Sequence, residues 1–183
     1  MRILGKHALL ALLVLVSCSR GRDPDPADSK AADEPDALEE LRDATRAFAS
    51  LEAAVEAGYR KDVAKCLVHE HHGAMGYHHV HPDYMDAVLD ITKPEILLYE
   101  RLANGEYRLN GVEFIMPYSA WPRDSVPPRV FDQPMRREDT LNFWYLHVWA
   151  WKPNPDGLFA DFHPDVQCPT ESREVFRPDN GEA

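Results

Sequence analysis

The chain contains nine histidines, and six of them fall within HEHHGAMGYHHVHP, residues 69–82. Imidazole is the commonest biological ligand for Zn, Cu and Fe(II), so a metal site is the first chemistry to consider. A count of histidines does not make a site, however; the side chains must converge. Residues 75–81 alternate as a short strand ended by Pro82, which puts His78 on one face with Gly76 and Val80, opposite Tyr77, His79 and His81. NFWYLHVWAW, residues 142–151, is apolar on both faces, as a buried central strand would be, and His147 interrupts it. In EYRLNGVEFIM, residues 106–116, Glu113 alternates with Leu109, Gly111 and Ile115. A carboxylate in such a setting must be paired or coordinated. Three strands thus each offer one inward ligand: His78, Glu113 and His147. Two imidazoles and a carboxylate suit Zn, Fe(II) or Cu(II), with positions left open for water or substrate. The competing expectation is structural: His147 hydrogen-bonds Glu113 as a core pair, or each finds its own backbone partner.

His79 and His81 form a secondary candidate. An H-x-H pair on a strand places both rings on one face, about 6.6–6.8 Å apart at the backbone. Gly73, His79, His81 and Asp86 are similar in spacing to the first cupin motif, with Asp where that motif has Glu. Lys93 stands where its final glycine belongs, and no second cupin motif follows Gly111 and Pro117. His69, Glu70, His71 and His72 do not make a zincin motif, because HExxH would need histidine at Gly73. They read as solvated loop residues or a low-affinity cation patch, and His163, before Pro164, as a loop residue. No GxSxG, phosphate-binding loop or dinucleotide fingerprint occurs, and no nucleophile–base pair is evident.

The elements that must position these residues are legible in outline. Asp36 and Glu39 have capping-box spacing, and Leu38, Leu41, Thr45, Phe48, Leu51, Val55 and Tyr59 recur at helical intervals up to a C-cap at Gly58. This predicts one amphipathic helix of about 20 residues. ILLYE, residues 96–100, and the 106–116 segment flank Asn104-Gly105 and read as a hairpin, whereas WPRDSVPPRVFDQPMRRED, residues 121–139, reads as a long irregular loop. The expectation is an α+β domain: one long N-terminal helix packed on a mostly antiparallel, strongly curved sheet of four to five strands.

The N-terminus, MRILGKHALLALLVLVSCSR, has the charged flank and short apolar run of a signal peptide. Leu15-Val16-Ser17-Cys18 is similar to the lipobox of bacterial lipoproteins, which implies cleavage before Cys18 and lipidation of its thiol, with palmitate among the acyl groups. Two acyl chains anchor stably where one does not. The expected organisation is a signal peptide at 1–17, a disordered tether at 18–35, one domain at 36–170 and a flexible tail at 171–183. Two thiols then remain, Cys66 and Cys168, and in an exported protein their pairing is expected. A soft-metal cysteine pair is the alternative, but no CxxC spacing supports it. The formal net charge is -11, and loss of Arg2 and Lys6 with the signal makes it -13. That balance argues against nucleic acid or an anionic membrane surface as partners. The expected partners are the membrane, through the lipid anchor, and a metal or small-molecule ligand. The expected location is the bacterial cell envelope, with the domain periplasmic or extracellular.

GAMGYH (73–78), PEILLYE (94–100), GVEF (111–114), LHVWAW (146–151) and NPDGLFADFHPDVQC (154–168), together with the helix end from Ala53 to Tyr59, occur in that order. On these segments the chain resembles a family of bacterial exported proteins to which no activity is assigned. The resemblance implies one domain in which a helix leads into a cysteine that pairs with the terminal one, and its motifs match at His78, Glu113 and His147. Family members have MGYHYVNP where this chain has MGYHHVHP, so His79 and His81 depart from the pattern. The leading functional expectation is an envelope lipoprotein that binds a divalent transition metal or small ligand through His78, Glu113 and His147. The alternatives are a metal-dependent enzyme with a 2-His-1-carboxylate or cupin-like site, and a structural or interaction module without metal.

Overall fold

A computed structural model describes residues 34–61 and 65–175. The signal peptide, Cys18 and most of the expected tether and tail lie outside the described residues. Ten strands are present: β1 Arg60–Lys61, β2 Cys66–His69, β3 Gly73–Val80, β4 Ile96–Arg101, β5 Tyr107–Pro117, β6 Arg129–Val130, β7 Gln133–Pro134, β8 Arg136–Glu138, β9 Phe143–Val148 and β10 Arg173–Val175. Seven form one path in the order β10-β2-β3-β4-β5-β9-β8, β1 adds to β3 outside it, and β6 and β7 make a separate two-stranded sheet. Every pairing is antiparallel except that of β10 with β2. Register shifts at Leu67/Val68 and Leu98/Tyr99 bend the main sheet, which curls into a half-barrel.

The expected helix-on-small-sheet architecture is therefore corrected: the domain is mostly sheet. Short strands β2, β8 and β10 arise in segments too brief to show alternation, and β10 occupies the start of the segment expected as a loose tail. The predicted irregular loop at 121–139 contains the β6–β7 hairpin, whose turn residues Phe131 and Asp132 both have φ of 54°. Positive φ at both turn positions is the primed geometry that suits strand twist, and it is normally signalled by Asn or Gly. Here Phe131 adopts it because its ring is buried in the core against Phe114.

The long helix is also broken. α1, Glu34–Thr45, tightens into a 3-10 turn over Arg46–Ala49, and the chain is extended at Ser50 before α2, Leu51–Glu56. Ser50 caps α2 by accepting the Ala53 N–H at 3.2 Å. The break frees the Phe48 carbonyl to accept the Tyr99 hydroxyl at 2.6 Å, and a continuous helix would have consumed it. Asp36 lies inside α1 rather than capping it, and Val55 is 55% exposed instead of joining the apolar stripe.

The hairpin about Asn104-Gly105 forms as expected, from β4 and β5. β9 lies between β5 and β8, one strand in from the edge rather than central, yet both its faces are covered. Leu97, Tyr99, Val112, Phe114, Trp144, Leu146 and Val148 face the main core, where Leu41 and Ala54 of the helices and the β6–β7 hairpin pack. Ile96, Leu98 and Ile115 form a smaller cluster on the opposite face. That explains a strand without a polar face. The disulfide joins Cys66 to Cys168, with Cα atoms 5.5 Å apart, and fastens the start of β2 to the segment just before β10.

Gly76 sits in β3 at φ +99°, and a Cβ there would lie 2.4 Å from the Tyr99 carbonyl oxygen of β4. Strand β3 can approach β4 this closely only because the side chain is absent. Gly76→Ala is expected to destabilise the domain by at least about 2 kcal/mol, from steric overlap plus the strained backbone. Urea unfolding of wild type and variant measures it; equal midpoints would refute the close approach.

Candidate metal centre

His78 of β3, Glu113 of β5 and His147 of β9 converge on the face of the curled sheet opposite the helices. The register explains how. Glu113 lies directly opposite His147 across the β5–β9 pair and opposite Ile96 of β4, while His78 pairs with Leu98 one strand further along. All three side chains therefore project to the same side, and the curl of the sheet brings His78 over β4 to the other two. His78 Nε2 lies 3.5 Å from Glu113 Oε2, and His147 Nε2 lies 3.7 Å from Glu113 Oε1. One ligand atom from each residue falls within 4.8 Å of the others. All three residues are buried.

These separations are too long for good N–H···O hydrogen bonds, which cluster near 2.7–3.2 Å. Both ring nitrogens of His147, and Nδ1 of His78, have no hydrogen-bond partner. Buried polar atoms left this way cost free energy, and the His147–Glu113 contact is an approach at ion-pair distance rather than a hydrogen bond. Two donors at about 2.1 Å from a tetrahedral ion lie about 3.4 Å apart, close to the spacing of Glu113 from each histidine. The residues suit a divalent ion by donor type and burial, Glu113 is spaced from each histidine as two ligands of one ion are, and the whole group, within 4.8 Å, needs only a small inward shift to close on it.

A fourth residue completes the arrangement. Asp161 Oδ1 is 3.6 Å from His147 Nδ1, on the side of the ring away from Glu113, and Asp161 is held by an ion pair with Arg136. Arg136 also donates to the Phe159 carbonyl at 2.9 Å. A carboxylate behind the imidazole fixes its tautomer and raises its basicity, the usual support of a metal-bound histidine. The sequence reading missed Asp161. It stands in the GLFADFHPD segment, which has no periodicity to aim its side chain, and only its place two residues before His163 in a motif-rich stretch singles it out.

Electrostatics follow from burial and these neighbours. Burial, reinforced by His147, pushes His78 down to about 3, so this ring is a neutral donor at physiological pH. Burial raises Glu113 although His147 opposes it. For His147 burial acts downward, but Glu113 and Asp161 outweigh it and the net direction is up. Asp161 is lowered overall, because His147 and Arg136 overcome the effect of burial.

His79 and His81 do not join this group. His79 is buried on the opposite face of β3, edge-on to Tyr99 with ring centroids 4.9 Å apart. His81 bonds the Ala57 carbonyl through Nε2 at 2.9 Å and stacks on Tyr84 at 3.7 Å. Among the described residues the H-x-H pair gains no third ligand. His163 lies in an irregular segment, as expected, with an isolated bridge to Ala74, but it is fully buried: Nε2 bonds the Pro153 carbonyl at 3.0 Å and Nδ1 accepts the Asp165 N–H at 3.1 Å. His71 and His72 are exposed as expected, but His69 ends β2 rather than lying in a loop and is half-buried, its ring tilted against His72 and Phe162 at centroid distances of 4.5 and 5.0 Å.

The edge of the site is supported by Glu95, whose Oε2 accepts the Ile115 N–H at 3.0 Å just where β4 ends and leaves that donor unpaired. Burial pushes its carboxyl up to about 8. The folded state therefore holds this proton where the unfolded chain has lost it, and stability falls as pH rises from about 4.5 through about 8. Glu95→Gln keeps an acceptor without the charge. It is expected to be more stable than wild type at pH 9 by roughly 2–4 kcal/mol, the difference fading below pH 5. Denaturant titrations across that range check the sign; a constant difference would show that Glu95 does not titrate there.

Comparison with protein-family models, with curated proteins and with solved structures finds no match.

Proposed function

We propose that this protein binds a divalent transition metal at His78, Glu113 and His147, in a 2-His-1-carboxylate site, as part of an exported protein anchored to the cell envelope. One observation carries the metal reading. His147 is buried with both nitrogens unbonded, one aimed towards Glu113 and the other towards Asp161. A metal ion on Nε2, with Nδ1–H turned to Asp161, satisfies both. Zn and Fe(II) suit this donor set best, with Cu(II) the next candidate.

Three protein ligands leave coordination positions free. The cluster borders a cavity lined by His78, Glu113 and His147 themselves, and that favours a second reading: a metal-dependent enzyme in which the open positions receive substrate. Export is supported by the lipobox-like Cys18 and by the disulfide, which suits an oxidising compartment. Cys18→Ala should then release the protein from the membrane fraction and remove the acyl mass.

The experiment for the metal is elemental analysis of protein purified without a histidine tag. About one equivalent of metal is expected, with none in His147→Ala. Asp161→Asn should retain the fold and lose roughly 10- to 100-fold in metal affinity, as second-layer changes do. Metal content unaffected by either substitution would refute the assignment.

A further inference from the structure

The cavity beside the cluster has a chemistry of its own. Leu67, Met75, Ile96, Ile115 and Phe143 supply apolar wall, and the volume is about 160 Å³. Met85 and Leu141, 36% and 66% exposed, give it an apolar rim. A cavity of about 150 Å³ with such walls is the size that takes benzene. The polar lining consists of the His78, Glu113 and His147 cluster, whose ligand atoms lie within 4.8 Å of one another, together with Tyr145 and the half-buried Glu138, whose Oε1 is engaged by the Thr140 N–H at 3.0 Å. The space therefore suits a ligand with one polar head and a compact hydrocarbon body.

The charge of the head follows from the ligand set. A divalent ion held by two neutral imidazoles and one carboxylate keeps a single net positive charge, and Asp161 is already matched by Arg136. In a poorly solvated pocket that charge is best neutralised by a directly bound monoanion. An ammonium head would be repelled, and an alcohol would leave the charge uncompensated. The charge of Glu138, half-buried among the lining residues, is only partly screened by solvent and opposes a bound anion weakly.

We propose, on the basis of the metal reading above, that the site takes a small apolar monocarboxylate, its carboxylate on the metal and a body of about six carbons in the Leu67–Ile115–Phe143 cavity. Each additional buried methylene is worth roughly fourfold in affinity, so body size should dominate selectivity.

The test uses the full-length exported protein, untagged and loaded with Co²⁺, whose visible bands report its coordination. Benzoate, acetate, benzyl alcohol and benzylamine are titrated in turn. Benzoate is expected to change the bands at a concentration roughly 200- to 1,000-fold below acetate, from about four to five extra buried carbons at about fourfold each. The alcohol and the amine should leave them unaltered. Leu67→Trp fills the cavity and should bring benzoate to the level of acetate without altering the bands of the Co²⁺ protein itself. Glu138→Gln should tighten benzoate severalfold. Co²⁺ binding with benzoate and acetate equal, or benzoate affinity unchanged in Leu67→Trp, overturns the ligand assignment alone. Absence of Co²⁺ bands overturns the metal reading on which it rests. Should Leu67→Trp fail to fold, the wild-type ratio of benzoate to acetate decides.

Discussion

Replacing His78, Glu113 and His147 together by leucine is expected to leave a folded domain that metal no longer stabilises. Wild type should gain about 4 kcal/mol when the ion is present at 1,000 times its Kd, because only the folded chain assembles the ligands. The triple variant should gain nothing. Without metal the order reverses. Two imidazoles and a carboxylate are then buried at separations that make no hydrogen bond, and leucines beside Ile96, Leu98 and Ile115 remove that cost. Apolar replacement of buried charged groups is often neutral or stabilising by about 1–4 kcal/mol. Chemical denaturation with chelator and with Zn²⁺ gives all four numbers. A triple variant that is much less stable than metal-free wild type would mean that the cluster is a structural network, and the metal assignment would fail with it. Single substitutions are less informative, since removing one member strands the others and destabilises under either reading.

The second large effect belongs to the disulfide. Cys66 and Cys168 are separated by 102 positions, so the bridge closes nearly the whole domain into a loop. In the chain-entropy model a loop of about 100 residues is worth up to about 4.7 kcal/mol. The residues at its ends also matter locally: Cys66 starts β2, Arg173 of β10 pairs with it, and Val166 and Trp149 pack around the bridge. Cys66→Ala with Cys168→Ala is expected to cost about 3–5 kcal/mol and to lower Tm by roughly 10–15 °C. Calorimetry of the double variant checks this, with the reduced wild type as a control that leaves the sequence intact. A fall of less than about 3 °C would show that the parallel β10–β2 pair and its packing close the loop without help.

These two features were unequally accessible from sequence. The cysteine pairing needs no geometry beyond a permissive compartment and two remaining thiols, and the bridge forms between the residues so inferred. The orientation of His78, Glu113 and His147 was also accessible, because alternation along a strand is a local property with a period of two. Each side chain could be assigned a face without knowing its neighbours. Their convergence could not, since it depends on the order β3-β4-β5-β9 and on the bulge at Leu98/Tyr99. The same limit accounts for the architecture. A three-residue strand such as β8 or β10 shows no alternation, and its identity comes entirely from the partner it pairs with.

The helix illustrates the converse. Its apolar spacing runs on past Thr45, and nothing local forces a stop apart from the capping tendency of Ser50. A carbonyl required by Tyr99, together with the bond from Trp151 Nε1 to Thr45 Oγ1 at 3.1 Å, favours the break. Asp161 and Arg136 likewise lie 14 and 11 positions from His147, Asp161 in a segment without regular structure and Arg136 in a strand too short to show a pattern. By itself the sequence determined the face of each strand ligand, the hairpin at Asn104-Gly105 and the cysteine pair, all of which follow from local pattern or simple elimination. Only the tertiary structure decided that the three ligands meet, that Asp161 stands behind His147 and that an apolar cavity adjoins them. Each of these rests on non-local strand register and packing, for which neighbouring residues carry no signal.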